Sequence, residues 1–249
     1  MKVVLDIQRF DPTRDTEPSF RQYAVDVEPT DRLLEALLSV KRTEDGTLTF
    51  RKSCAHGVCG SDAMRINGKE RLACKTLFQD VAEHDGDTVR IEPLRHLTIQ
   101  RDLMVDQTPF FDTFASVSPF LIPKKKEGTR EYLQSPAERE SIDDATKCIL
   151  CQACVSACPV METNPDFIGP AAIVQASRFL FDSRDTGFDD RMQVLDHPDG
   201  VWACDNHFEC TKVCPREIKV TKLINLTKRK IKQYRDERGE TTSEGAGAK

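Results

Sequence analysis

Hydrophobic positions in the first hundred residues follow two different periods. Met1 to Arg9 and Phe20 to Val27 are β-prone and partly alternating, which predicts two strands. Between Asp31 and Arg42 the period lengthens: Leu33, Leu34, Leu37 and Leu38 share one helical face, with Asp31 placed to cap it. Asp45-Gly46 and Asn67-Gly68 are hairpin signals, and the second joins Asp62–Ile66 to Lys69–Cys74. A last strand over Thr88–Glu92 stops at Pro93. Strand, strand, helix and returning strands predict a small mixed sheet of the β-grasp type.

After about Leu97 the pattern changes to helices and loops. Ser135-Pro136-Ala137-Glu138 supplies a cap, a proline at the first helical position and an acid at the third, all of which start helices. Gly169-Pro170 opens another helix through Ala171, Ile173, Val174, Ala176 and Phe179, and Lys219–Arg238 forms a third. Gly239–Lys249 is polar and glycine-rich, the composition of a frayed tail. The expected fold class is α+β: an N-terminal β-grasp domain over residues 1–104, then an all-α domain over 105–249.

Composition narrows the function. With 31% charged residues, a net charge of −5 and a mean hydropathy of −0.48, the chain is expected to be soluble, and no apolar run approaches the roughly 18 residues of a spanning helix. No basic stripe interleaved with aromatics points to nucleic acid. No G-x-G-x-x-G fingerprint points to a dinucleotide. What stands out is ten cysteines.

Seven of them form two runs, one incomplete. Cys148, Cys151, Cys154 and Cys158-Pro159 have the C-x2-C-x2-C-x3-C-P spacing of bacterial ferredoxins, in which the last cysteine reaches across to the other cluster. Cys204, Cys210 and Cys214-Pro215 repeat the run with His207 where its middle cysteine would stand. Crossing gives one site Cys148, Cys151, Cys154 and Cys214. It leaves Cys158, Cys204 and Cys210 for the other, and three thiolates suit a [3Fe-4S] cluster, whose missing corner needs no ligand.

The remaining three cysteines lie upstream. Cys54 and Cys59 fit the first spacing of plant-type [2Fe-2S] sites, Asp62 occupies the third ligand position, and Cys74 follows. A carboxylate oxygen on one iron completes the set, although oxygen is a harder donor than thiolate. Gly57 and Gly60 suit a loop whose amides approach bridging sulfides. Zinc is the competing reading of paired C-x2-C motifs, and disulfides would need an oxidising compartment, whereas Asp6 interrupts the N-terminus too early for a signal peptide.

These motifs resemble the iron–sulfur subunits of succinate:quinone oxidoreductase (respiratory complex II) and quinol:fumarate reductase. The resemblance runs through Arg51-Lys52-Ser53-Cys54, Cys59-Gly60-Ser61-Asp62, Leu72-Ala73-Cys74, Lys147-Cys148-Ile149-Leu150-Cys151, Phe167-Ile168-Gly169-Pro170-Ala171-Ala172, Asp182-Ser183-Arg184-Asp185 and Cys210 to Pro215. It implies a flavoprotein partner bearing FAD, one or two membrane-anchor subunits, and a place on the cytoplasmic face of a bacterial inner membrane. The implied role is a one-electron relay from flavin through [2Fe-2S], [4Fe-4S] and [3Fe-4S] to quinone, with no catalytic residue in this chain. Asp62 leans the likeness toward the succinate dehydrogenases of the tricarboxylic acid cycle, while a fumarate reductase or the wire of another dehydrogenase stands as the alternative.

The quinone end departs from ubiquinone-reducing members. Val160, Met161, Glu162 and Thr163 follow Pro159 where relatives carry aromatics, and Asp205 stands where they place a histidine. Three roles are open to His207: facing the quinone beside Pro159, bonding to the cluster's surroundings, or ligating a fourth iron. Other residues carry plainer readings: His56 as a surface or supporting residue, Trp202 as core packing, and Lys228, Arg229, Lys230, Lys232 and Arg235 as a solvated helix face. Lys124-Lys125-Lys126 is read as an exposed loop.

Overall fold

The computed structural model describes residues 1–123 and 131–238. The lysine run at 124–126 and the tail from 239 lie outside the described residues. The N-terminal half is a five-stranded mixed sheet in the order β2-β1-β5-β3-β4. Its strands are β1 (Lys2–Arg9), β2 (Ser19–Asp26), β3 (Ala63–Ile66), β4 (Lys69–Leu72) and β5 (Thr88–Glu92), crossed by helix α1 (Leu33–Thr43). β1 pairs antiparallel with β2 and parallel with β5, and β3 is antiparallel to both β4 and β5.

Alternation in β1 sends Val3, Leu5 and Ile7 into the core, where they join Leu33, Leu34, Leu37 and Val40 of α1. Full burial of each such side chain stabilises the fold by about 1.5–3 kcal/mol. Asn67-Gly68 makes the expected hairpin, with Ile66 opposite Lys69. Two expectations fail locally. Asp31 does not cap α1; its carboxylate accepts the Glu28 N–H at 2.8 Å and closes the preceding turn, leaving Arg32 as an N-cap without a side-chain bond. Asp45-Gly46 is a turn after α1 rather than a hairpin, because Asp45 is recruited into the core.

Asp45 accepts from Arg9 (2.5 Å), Tyr23 (2.8 Å), Arg21 (2.8 Å) and Thr47 (2.5 Å). Burial alone would raise its carboxyl, but these bonds hold it well below the ordinary carboxylate range. Arg9 also donates to Asp102, which accepts the Phe10 and Thr49 amides. One guanidinium thus ties the end of β1 to the chain just before the first cysteine loop.

The α+β expectation holds, and the change of pattern near Leu97 includes a hairpin that the pattern did not show: β6 (Ile99–Arg101) and β7 (Met104–Val105). Helices follow: α2 (Thr108–Ser116), α3 (Pro136–Thr146), α4 (Ala153–Ser156), α5 (Val160–Thr163), α6 (Gly169–Leu180), α7 (Phe188–Leu195), α8 (Glu209–Lys212) and α9 (Val220–Glu237). α3 has the reciprocal Ser135–Glu138 cap. α6 is buried along most of its length and packs on α3, α4, α7 and α9. No described helix is long and apolar enough to cross a membrane.

The basic stretch of α9 is only partly a solvated face: Arg229 and Lys232 are exposed, whereas the others are tied down. Lys228 donates to Cys204 O at 2.7 Å, Lys230 to Leu180 O, and Arg235 to Asp196, which also takes the Trp202 indole N–H at 2.7 Å. Lys230 is correspondingly depressed by burial. Trp202 therefore packs under Lys232 and Arg235 and anchors α9 beside the Cys204 segment.

Arg191 is fully buried against Asp185, with N–O distances of 2.8 and 3.2 Å, and donates to the carbonyls of Gly187, Ser118 and Phe120. A Cβ on Gly187 would lie 2.8 Å from the guanidinium and 2.5 Å from Ile122. This pair fastens the segment after α2 to the helical half. Removing one partner of a buried pair costs about 3–5 kcal/mol, whereas an exposed pair contributes about 0–1. Arg191→Ala should therefore lower the urea midpoint strongly, and Lys212→Ala, which breaks an exposed pair with Glu209, should barely move it.

Candidate functional site

The first cysteine loop is shaped by three left-handed residues: Ala55, Gly57 and Gly60, at φ 60°, 77° and 72°. That curl turns amides toward sulfur. The His56 N–H reaches Cys54 Sγ at 3.5 Å, and this donor, with those of Val58 and Cys59, brings the thiol down to about 6. Cys74 behaves oppositely: burial first, then the neighbouring Asp62 carboxylate, pushes it up to about 12. Cys59 Sγ lies 3.1 Å from Ser61 Oγ. His56 itself is exposed, as its plainer reading requires.

Asp62 is buried and its two oxygens differ. Oδ2 accepts the Cys74 N–H at 2.6 Å, while Oδ1 has no partner. An unpaired buried carboxylate oxygen is costly unless a cation meets it. Three thiols and one free carboxylate oxygen fit the four terminal positions of a two-iron cluster.

The two later runs share one backbone. Leu150 and Gln152 have φ of 55° and 67°, and Asn206 and Phe208, at the same offsets from Cys204, have 60° and 65°. Each loop then enters a one-turn helix, α4 or α8, carrying the next cysteine, Cys154 or Cys210. His207 consequently stands at the place of Cys151, but exposed at the cavity rim.

The runs exchange their last thiols. Cys148, Cys151 and Cys154 line one cavity together with Cys214. Cys158 lines the other with Cys204, Cys210, Pro159 and His207. Burial raises the Cys151 thiol to about 12, Cys154 well above its ordinary value, and Cys158, Cys210 and Cys214 in the same direction. Opposing this, nearby backbone amides favour the charged sulfur: Ala153 at Cys151, Met161 and Val160 at Cys158, Arg216 and Ile218 at Cys214. Thr221 Oγ1 lies 3.5 Å from Cys210 Sγ. Thiols that resist ionising alone become thiolates when cationic iron offsets the burial.

None of the ten cysteines is in a disulfide. Among the described residues no three His, Cys, Asp or Glu side chains converge on a single-ion site. Thiolates around one zinc would stand about 3.8 Å apart, given a Zn–S bond of about 2.3 Å. Absence of such a convergence leaves a cluster core, spread over several metals, as the fit for these thiols.

The three cradles lie in series. A Cβ on Gly60 would sit 2.7 Å from Cys151 Cβ and 2.9 Å from Ile149 O, so the first loop touches the second without a side chain between them. Ser156 holds that contact: its hydroxyl donates to buried Glu70 of β4 at 2.8 Å and accepts the Arg95 N–H at 2.9 Å. The second cradle meets the third where α4, carrying Cys154, packs on α8, carrying Cys210. Sequence reasoning missed the contact role of Gly60 and the residues Thr221 and Gln152. Only the repeated loop offset could have pointed to Gln152.

Comparison with known proteins follows the same division. Residues 4–112 match a 2Fe-2S iron–sulfur cluster binding domain, and residues 144–218 match a 4Fe-4S dicluster domain. The chain is 41% identical over 221 residues to the fumarate reductase iron–sulfur subunit of Mycobacterium tuberculosis, covering 87% of each chain. It is 37% identical over 233 residues to the succinate dehydrogenase iron–sulfur subunit of Coxiella burnetii, covering 93% of this chain and 97% of that one. A chain of the Mycobacterium smegmatis Sdh1 complex in the apo form superposes with a TM-score of 0.83 at 27% identity, over 93% of this chain and 96% of that one. Two cluster-binding domains in tandem, matched along nearly their whole length, place this chain in the family of succinate dehydrogenase and fumarate reductase iron–sulfur subunits, the electron-transfer component of an oxidoreductase complex.

Proposed function

We propose that Cys54, Cys59, Asp62 and Cys74 hold a [2Fe-2S] cluster, that Cys148, Cys151, Cys154 and Cys214 hold a [4Fe-4S] cluster, and that Cys158, Cys204 and Cys210 hold a [3Fe-4S] cluster. The observation that carries this is the serial arrangement of three cradles, Gly60 against Cys151 and the Cys154 helix α4 against the Cys210 helix α8. Once bound, the clusters supply one-electron carriers whose potentials follow ligand type, charge and hydrogen bonds to sulfur. The chain's own residues do the rest. The amides of His56, Val58 and Cys59 favour negative sulfur at Cys54, and the apolar walls of the two later cavities exclude water. We infer two domains that divide near residue 105, with the β6–β7 hairpin closing the first.

The relay runs between a two-electron flavin and a two-electron quinone. The exposed face of the first loop, with Lys52, Ser53, His56 and Val58, would meet an FAD-bearing flavoprotein. At the far end His207 and Phe208 are exposed beside the third cavity and would meet the membrane anchor and quinone, with Pro159 lining the same cavity. The complex would sit on the cytoplasmic face of a bacterial inner membrane. An exposed His207 fits a role toward quinone or the cluster's surroundings better than a fourth iron ligand. We take succinate oxidation as the working direction. Fumarate reduction is the second reading, favoured by the name of the relative at 41% identity.

Air-oxidised complex is expected to show the paramagnetic signal of a [3Fe-4S] centre, and succinate should abolish it. A complex whose signal yields to dithionite and not to succinate would contradict the working direction. Asp62→Ala should remove or spectrally alter the [2Fe-2S] centre and leave the other two intact, read by EPR of the reduced protein. An unchanged [2Fe-2S] spectrum would take Asp62 off the ligand set.

A further inference from the structure

Gln152 is unexplained by the ligand assignment. Its side chain is 1% exposed, yet neither Oε1 nor Nε2 meets a protein partner. Buried amides are nearly always hydrogen-bonded, so both ends require an account. Gln152 lines the same cavity as Cys148, Cys151, Cys154 and Cys214. At the matching position of the third cradle stands Phe208, with the same left-handed backbone but 53% exposed. The loop geometry therefore demands neither a polar side chain nor an inward one. Something specific to the second cavity accounts for the amide.

We propose that Gln152 Nε2 donates a hydrogen bond to a sulfur of the cluster in the second cradle and raises that cluster's reduction potential relative to an apolar residue there. The inference rests on the ligand reading above. An N–H···S bond favours the reduced state, which carries more negative charge on sulfur. The acceptor end, Oε1, is then met by a buried water, the usual partner of a leftover buried polar atom. Gln152 is a positioning and tuning residue; it moves no electron itself.

The effect is read as a potential rather than as turnover. In the purified complex, Gln152→Met keeps the length of the side chain and removes the donor. Redox titration followed by EPR should show the [4Fe-4S] midpoint falling by about 59 mV, a tenfold change in a one-electron equilibrium, with the other two midpoints unchanged. An intact [4Fe-4S] signal with an unmoved midpoint would overturn this inference while leaving the ligand reading standing. Native complex carrying ¹⁵N only in glutamine side-chain amides gives a second readout that does not depend on the variant folding. The reduced [4Fe-4S] signal should show a hyperfine coupling to ¹⁵N, and its absence would overturn the proposal.

Discussion

The exchange of last thiols between two short loops is the constraint on which the helical half depends. Cys158 lies four residues after Cys154 but lines the cavity of Cys204 and Cys210; Cys214 lies four residues after Cys210 but lines the cavity of Cys148, Cys151 and Cys154. Neither loop can close a cavity alone, so α4 must lie against α8, with α6 packed on α4 and α9 on α8. Proximity of the two carriers is thus a consequence of how the sites are built.

Charge is managed by two opposite devices. In the first loop the backbone itself is curled to aim amides at Cys54, and the thiol ionises readily. In the later cavities apolar walls dominate, the thiols are pushed up, and their ionisation waits for a cation. Binding a cluster in these cavities would therefore release protons as the thiols ionise. The buried Arg191–Asp185 pair and the Arg9–Asp45–Asp102 network are the ionic counterparts, each fastening a connecting segment to its own half.

Much of this was legible before any coordinates. The Leu33, Leu34 and Leu37 stripe, the Asn67-Gly68 turn and the Ser135–Glu138 cap each have one local solution and appear as expected. The crossed run of bacterial ferredoxins suggested the thiol groupings, and the two cavities are lined by those same cysteines. What was not legible depended on distant partners. Asp45 looked like a turn residue until Arg9 and Tyr23 claimed it, and the α9 lysines looked solvated because their carbonyl acceptors at Cys204 and Leu180 are remote in sequence. Short elements such as β6, β7 and α8 fall below the length at which periodicity speaks.

The crossing is tested most directly by exchanging each late cysteine singly and counting centres by EPR and Mössbauer spectroscopy of the isolated complex. Cys214→Ser should disturb the [4Fe-4S] centre and leave the [3Fe-4S] signal, and Cys158→Ser should do the reverse. If each substitution instead removed the centre belonging to its own run in sequence, the crossed arrangement would be wrong.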